Sequence, residues 1–481
     1  MSMSARRAVA AFALICAMGL VAFGGEPAAP AAEEAGDIFD ELKHVEAGNI
    51  QFKFSGEARF RYQFWHDFNL TQYQQRNARG GKTDGFVESR IRLGVEAAIT
   101  EQLVIFIEGQ DARTWDYDGP RLRGLPDHAT YHPFADHLDL RQAWVLYKMD
   151  AGPVPIQFKI GRQEVHLGDG RMQSANWWHN TPSVFDAFVV IMPLEPVTIV
   201  TWAGKAVVTP DTRGYNHVAS NFDYYGIYTM WNTESIEPLD QFHLYGLHLR
   251  DDRNPVPYAT VVQRGEVPFV DYGDIHLYAL GVLAKGHVNT ENLKWEIEHV
   301  IEFGDYADRA IQSWAFHGQV SYTFPDIAWT PTLIAEYNTA TGDRSSSDHK
   351  FETFLPFFPE VHGHYGLMDL FAWSNMHQWR LACRVQPTER LTIEVAGSHF
   401  RVDHDEDNWY ASRSATINNH PPNTAADDEV GQELDLLINY EVNERTKVEV
   451  GYGHFFAGPF VSDTGPNGGA DFFYAMTTFG F

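Results

Sequence analysis

Arginine recurs at alternate positions in several segments of this 481-residue chain. Guanidinium groups stay charged at physiological pH and bind carboxylates through paired N–H donors. A row of them on one wall of an aqueous pore could pass a carboxylate from site to site. Arg59 and Arg61, and Arg90 and Arg92, have this spacing; Arg380 and Arg384 lie four residues apart, which still places them on one face of a strand. The alternative is that they pair with nearby carboxylates and stiffen the wall. The available partners are Glu57, Glu88, Glu96 and Asp139.

Two further arginines lie in strand-like segments. Arg141 shares a face with Asp139 and Tyr147 and is therefore a pore-lining candidate. Arg162 is also placed among the pore candidates, although simple alternation turns it toward lipid. A charge at the bilayer midplane would cost about 2–4 kcal/mol. We therefore expect Arg162 to lie at the rim, or at a bulge permitted by Gly161.

Two loop segments also carry candidate groups. Arg171 follows the glycine-rich turn at 168–170, which is either a simple bend or a segment that folds inward and constricts the pore. Asp403, Asp405 and Asp407 belong to an acidic run that is either a solvated face or a weak Ca²⁺ site built from oxygen ligands. Such a site would tie loops to one another or to lipid phosphates. No other metal or cofactor is expected.

The composition excludes several classes of protein. The net charge of −28 argues against a nucleic-acid-binding protein. The chain is too apolar for disorder, and its two cysteines exclude a disulfide scaffold. Serine-hydrolase, zinc-protease and phosphate-loop motifs are lacking. We expect no enzyme; a lipid-hydrolysing barrel is the enzymatic alternative.

Alternating polar and apolar residues indicate the elements that position these groups. From Phe52 to Phe64 one face is largely apolar, whereas the other carries Lys53, Glu57 and several arginines. Many such segments are 10–14 residues long, which suits tilted membrane strands better than a soluble sandwich. Tryptophans near the segment ends are typical of an interfacial girdle: Trp65, Trp115, Trp144, Trp231 and Trp295.

Eighteen alternating segments can be counted, from 50–67 to 471–481. Long connectors follow the odd-numbered segments and short ones the even-numbered segments; 305–310 is the exception. This pattern predicts an all-β fold, a transmembrane antiparallel β-barrel with long extracellular loops and short periplasmic turns. The regular alternation favours 18 strands over 16 and places both termini in the periplasm.

The two ends of the chain indicate its cellular location. Residues 1–25 have the basic start and apolar run of a signal peptide, 26–48 form a flexible periplasmic segment, and 49–481 form the barrel. The closing aromatic strand ends at Phe481, which resembles an outer-membrane assembly signal. We therefore expect a bacterial outer-membrane location. Outer-membrane lipids and the outer-membrane assembly machinery are the expected partners.

Several short motifs in this order resemble the alginate export family of outer-membrane proteins. They are Leu140–Trp144, Gly161–Glu164, Gly168–Arg171, Phe185–Asp186, Gly431–Asp435, Gly451–Gly458 and Ala470–Asp471. The resemblance covers roughly Phe52 to Phe481. It implies an 18-stranded barrel with an arginine-lined pore for an acidic polysaccharide.

Three functions follow from this reading. The first is a passive outer-membrane porin or channel for an alginate-like polysaccharide, an oligosaccharide or another organic anion. The second is a general or neutral-sugar porin, in which Trp65 and Tyr147 offer stacking surfaces in the lumen. The third, from a different class, is a structural or adhesion barrel whose lumen stays closed.

Overall fold

A computed structural model describes most of the chain beyond its first 37 residues. The described ranges are 38–67, 83–115, 135–152, 154–209, 215–233, 236–252, 274–345, 347–412, 415–416, 426–464 and 468–481. The predicted signal peptide at 1–25 lies outside them, as does the 26–37 portion of the predicted periplasmic segment.

Eighteen long antiparallel strands form a closed barrel. They are β1 (Ile50–His66), β2 (Asp84–Ala98), β3 (Leu103–Trp115), β4 (Asp136–Ala151), β5 (Val154–Gln163), β6 (Phe185–Leu194), β7 (Val197–Val208), β8 (Phe222–Trp231), β9 (Leu239–Asp251), β10 (Ile275–Val288), β11 (Thr290–Tyr306), β12 (Arg309–Thr323), β13 (Thr332–Ala340), β14 (Met376–Thr388), β15 (Leu391–Arg401), β16 (Glu429–Asn443), β17 (Thr446–Ala457) and β18 (Ala470–Gly480). The first and last strands pair from Glu57 opposite Gly480 to His66 opposite Asp471. This confirms 18 strands rather than 16.

The connectors differ in length at the two ends of the barrel. At one end the turns are short, for example 99–102, 152–153 and 444–445. At the other end the loops are long, as at 164–184 and 341–375. The one brief connector at the long-loop end, 307–308, joins β11 to β12. The predicted alternation of loop lengths and its single exception are therefore confirmed.

The strands present an apolar outer face and a mainly polar lumen in the middle of the barrel. Outward Leu93 and Leu381 are 65% and 69% exposed, whereas inward Arg59 and Gln378 are buried. This alternation is expected where one face meets lipid and the other lines a pore. Among the described residues, no helix has the length and apolar character needed to span a membrane.

The described end of the N-terminal segment, residues 38–48, packs on the barrel. It contains a helix, α1 (Ile38–Glu41), and a short strand, Val45–Ala47, that pairs with the start of β1. The Phe39 ring contacts Phe481, with ring centres 4.9 Å apart. The apolar contact at the seam between the first and last strands holds this segment in place.

Two loops from the long-loop end fold into the barrel and pack on each other. We call residues 164–184 the β5–β6 loop and residues 341–375 the β13–β14 loop. The Phe358 N–H donates to the Met172 carbonyl at 3.0 Å, and Glu360 N–H donates to the Gly170 carbonyl at 2.9 Å. The hydrophobic core of the protein therefore lies inside the barrel, between these loops and the inner face of its wall. Its largest fully buried apolar side chains include Trp373, Tyr365, Tyr224, Phe185, Phe354, Phe357 and Phe371.

Smaller elements complete the described part. They are the strands His217–Val218, Lys350–Phe351, Tyr410–Ser412 and Ala415–Thr416 and the helix α2 (Pro459–Thr464).

Candidate functional site in the barrel lumen

Three arginines of the β1–β2 wall hold the β5–β6 loop. Arg59 Nη1 donates to the Trp177 carbonyl oxygen at 2.9 Å, and Arg90 Nη1 donates to the same oxygen at 3.0 Å. Arg61 Nη1 donates to the Trp178 carbonyl oxygen at 2.8 Å. The guanidinium groups supply the loop carbonyl oxygens with the hydrogen-bond donors that a neighbouring strand would otherwise provide. The structure thus brings three predicted pore arginines together, but as anchors of an inward loop.

Carboxylates on the same wall neutralise part of this charge. Arg61 Nε donates to Glu88 at 2.7 Å, and Arg90 Nε donates to Glu57 at 2.6 Å. Arg92 donates to Gln110 at 2.8 Å, and its Nη1 lies 3.9 Å from Glu57. The pairing alternative thus applies through Glu57 and Glu88. Neither Glu96 nor Asp139 forms an ion pair with an arginine among the described residues.

Arg141 faces the lumen and lies at a β-bulge. Its guanidinium is almost fully buried and forms ion pairs with Glu108, at 2.7 Å, and with Glu164. In the pairing of β3 with β4, Glu108 is opposite Gln142 but Gly109 is opposite Leu140, so Arg141 is the extra residue. A bulge of this kind turns two consecutive side chains to the same face and reverses the alternation beyond it.

The reversal corrects the predicted faces of two aromatic residues. Trp144 faces the lumen, where its ring stacks on Phe106 with centres 5.2 Å apart. Tyr147 is 47% exposed on the outer face, so it cannot offer the predicted stacking surface in the pore. Trp65, the other predicted lumen aromatic, does face inward and contacts Phe86 edge to face.

Arg162 does not line the pore. It shares the outward face of β5 with Ile160, one residue before the strand ends, and its Nε donates to Asp186 at 2.8 Å. Gly161 has a φ of +128°, yet the pairing with β4 continues through it without a shift. The rim position and the carboxylate partner explain how the outward face tolerates this charge, so the first of the two alternatives applies and no bulge is present at Gly161.

Arg171 is carried into the lumen by the glycine-rich turn. Gly168 and Gly170 adopt φ values of +54° and +83°, in the left-handed region that glycine permits at little cost. Arg171 Nη1 lies 3.2 Å from Glu296, and Nη2 lies 3.4 Å from Glu336. The turn therefore folds inward, the second of its two predicted outcomes, and crosses to β11 and β13.

The remaining two arginine candidates are inward-facing on β14. Arg380 pairs with Glu394 and lies 3.4 Å from Glu336. Arg384 lies 2.7 Å from Glu394, and its side chain is 52% exposed. These two arginines share one carboxylate, and four strands, β15 to β18, separate β14 from β1 around the barrel. No single ladder therefore contains every arginine candidate.

The sequence model of the alginate export family matches residues 51–475, almost the whole barrel. The chain belongs to the alginate export family. The fold of this family member is similar to several solved structures from Pseudomonas aeruginosa. OccK9 (OpdG) has a TM-score of 0.55 and 12% identity, with 89% of this chain and 98% of that chain covered.

Two other similar structures contain a bound molecule. OccK2 (OpdF) in complex with glucuronate has a TM-score of 0.54 and 11% identity, and OpdK with vanillate has 0.53 and 12%. Each comparison covers 89% of this chain and 98% of the other. No match was found among curated proteins. Family membership and the porin-like barrel support an outer-membrane channel.

Sequence reasoning missed two lumen residues of this alginate export family member, Trp177 and Lys159. Trp177 in the β5–β6 loop is 44% exposed, and its ring stacks on His166 with centres 4.6 Å apart. Lys159 Nζ lies 4.3 Å from the centre of the Trp144 ring. The alternation of β5 could have identified Lys159. Nothing in the local sequence shows that Trp177 is turned into the barrel.

Glu360 joins the two inward loops of the family member. Its Oε2 accepts the Trp177 N–H at 2.9 Å and the Ser174 hydroxyl at 3.3 Å. Burial raises the pKa of the Glu360 carboxyl to about 7, and the nearby Asp369 acts in the same direction while His362 opposes it. The contact between the loops therefore contains a group that titrates near neutral pH.

Two of the acidic loop candidates accept hydrogen bonds from the backbone of the β13–β14 loop. Asp403 accepts the Gly342 N–H at 3.0 Å, and Asp407 accepts the Asp343 N–H at 2.9 Å. Within the ranges that the structure describes, no three His, Cys, Asp or Glu side chains converge as a metal site. The two carboxylates are instead arranged to fix the β13–β14 loop to the loop that follows β15.

Proposed function

We propose that this member of the alginate export family is a passive outer-membrane channel for organic anions, including acidic oligosaccharides. The short-turn end and both termini would face the periplasm, and the long loops would face outward. The β5–β6 and β13–β14 loops narrow the lumen. The solute would pass through the space between these loops and the polar inner face of β1–β5.

The observation that carries the proposal is a set of lysines on lumen-facing strand positions. None of them lies within 4.0 Å of a carboxylate among the described residues, whereas most of the lumen arginines do, for example Arg61, Arg90 and Arg141. They are Lys53, Lys148, Lys159 and Lys294. An unpaired cation in a confined pore attracts anions more strongly than an ion-paired one.

Acidic side chains on the opposite wall are buried and therefore add little negative charge to the solvent-accessible lumen. Glu298, Glu302 and Glu433 are 4%, 3% and 1% exposed. The Leu355 N–H donates to Glu302 at 2.9 Å, and the Met368 N–H donates to Glu433 at 3.0 Å. The β13–β14 loop therefore covers Glu302 and Glu433, whereas Glu298 accepts the Tyr245 hydroxyl at 2.7 Å. This arrangement supports anion preference even though the whole chain is acidic.

The molecules bound by two proteins of the same fold support the same solute class. Glucuronate in OccK2 and vanillate in OpdK are both six-membered rings that bear a carboxylate. The two proteins share only the fold with this chain, so the argument for this chain depends on its own lysines.

A liposome assay tests the proposal. Liposomes that contain the purified protein should take up glucuronate faster than glucose. A variant with Lys53, Lys148 and Lys294 changed to glutamine should lose most of that difference. Lys205, which faces outward and pairs with Asp223, provides the matched control, and Lys205→Gln should behave as the unmodified protein. Equal uptake of both solutes would favour a general or neutral-sugar porin, and no uptake of either would favour a structural barrel.

A further inference from the structure

Trp177 presents an aromatic surface inside the barrel. Its side chain is 44% exposed, although its carbonyl oxygen is held by Arg59 and Arg90. The His166 ring covers part of the indole, with ring centres 4.6 Å apart and planes inclined by 26°. The indole Nε1 donates to Glu164 Oε1 at 3.0 Å. The ring is thus fixed in orientation while much of its surface remains open to the lumen.

The adjoining wall carries a second aromatic residue and a cation. Trp144 stacks on Phe106, and Lys159 Nζ lies 4.3 Å from the centre of the Trp144 ring. Arg141 of the same wall pairs with Glu164, the carboxylate that accepts the Trp177 indole N–H. Glu164 therefore connects the loop and the wall into one group of side chains.

Two carboxylates in this group retain hydrogen-bonding capacity. Arg141 binds Oε1 of Glu108 and Oε1 of Glu164. The other oxygen of each carboxylate accepts no hydrogen bond from a described residue, and neither of these oxygens is among the fully buried unpaired atoms. Each of these oxygens is therefore able to accept a hydrogen bond from a ligand hydroxyl group.

We propose that Trp177, Lys159, Glu164 and Glu108 form a binding site for an acidic sugar. The C–H face of a six-membered sugar ring packs on the open indole surface of Trp177. The ligand carboxylate binds Lys159, and ring hydroxyls donate to Glu164 and Glu108. The site depends on the proposed channel function and specifies the solute class, because a ring without hydroxyls would leave the two carboxylates unused.

Block of single-channel current by small sugars tests the site. The probes are tri-galacturonate and maltotriose, a neutral sugar of similar length. Trp177→Ala should raise the tri-galacturonate dissociation constant about tenfold, which corresponds to about 1.4 kcal/mol for the lost aromatic contact. Trp177→Phe keeps a flat ring without the indole N–H and should remain within about threefold of the unmodified protein. Lys159→Gln should weaken tri-galacturonate about fivefold and leave maltotriose unchanged, because only the uronate carries carboxylates.

Trp379 provides the matched control. It is also 44% exposed but lies on the outer face, so Trp379→Ala should leave block unchanged. Block of Trp177→Ala equal to that of the unmodified protein would overturn the site while leaving the channel proposal intact. An equal loss in Trp177→Ala and Trp379→Ala would also overturn it. An unmodified protein that conducts no current would instead refute the channel itself.

Discussion

The guanidinium of Arg61 lies 3.6 Å from the centre of the Trp178 ring and donates a 2.8 Å hydrogen bond to the carbonyl oxygen of the same residue. Arg61 on the barrel wall thus binds both the side chain and the backbone of one loop residue, Trp178. Because the neighbouring residue is Trp177, the same contact fixes the proposed sugar-binding surface. The arginines of β1 and β2 therefore act mainly by positioning the loop that narrows the lumen.

Changing Arg61 to glutamine should release this loop and destabilise the barrel. Glu88, only 1% exposed, would lose its Arg61 partner and keep Gln63. Loss of one partner from a buried ion pair costs about 3–5 kcal/mol. Arg61→Gln should lower the free energy of unfolding in urea by about that amount and increase single-channel current noise. The double change with Glu88→Gln should recover part of the stability, and unchanged stability of Arg61→Gln would contradict the assignment.

The contact between the two inward loops should weaken as pH rises through neutrality. Burial raises the Glu360 pKa to about 7 from the ordinary 4.5, so the folded protein retains this proton where an exposed carboxyl would have lost it. The stability of the contact is therefore greatest at low pH and is lost as pH rises through about 7. Transitions between conductance levels should be rarer at about pH 6 than at about pH 8. Glu360→Gln should largely abolish that difference, and an undiminished pH dependence would show that another group controls it.

Phe481 should have separate effects on assembly and on stability. Its ring centre lies 4.9 Å from that of Phe39, and its N–H donates to the Gly56 carbonyl at 3.1 Å. The hypothesis that Phe481 belongs to an assembly signal predicts that its deletion lowers the amount of protein in the outer membrane. Phe39→Ala leaves Phe481 in place directly after β18. It should therefore reach normal levels but lose about 1 kcal/mol of stability. Normal outer-membrane levels of the deletion variant would contradict a role in assembly.

Arg162 should have little effect on transport. Its side chain pairs with Asp186 on the outward face, and the two side chains are 13% and 33% exposed. Arg162→Gln should leave ion selectivity unchanged and reduce stability by about 1 kcal/mol or less. The measurement is the reversal potential, compared with that of Lys53→Gln in the lumen. A shift for Arg162→Gln as large as that for Lys53→Gln would mean that the outward position is wrong.

The alternation of residues was sufficient to predict the barrel, its strand number and most lumen faces, because each strand must expose one face to lipid. The prediction failed where the period was interrupted. The extra residue at Arg141 reversed the faces of Trp144 and Tyr147. A bulge shifts the period by one residue and leaves no marked sign in composition.

The arrangement of the lumen was harder to predict than the wall. The sequence identified the arginines of β1 and β2, but not that the carbonyl groups of Trp177 and Trp178 would be their partners. Those contacts join residues more than 100 positions apart through a loop without strand periodicity. The Gly168–Gly170 turn indicated a change of direction, but the direction depends on the distant partners Glu296 and Glu336 of Arg171.

The reversal potential of the unmodified protein in a salt gradient tests the central claim most directly. Lumen lysines without ion partners should favour chloride over potassium at low ionic strength. The preference should weaken at high salt, as the Debye length falls from about 10 Å at 0.1 M to about 3 Å at 1 M. A potential of the sign expected for anions, declining with salt, is the predicted result. A cation-selective potential at low salt would contradict the account and favour a channel for neutral solutes.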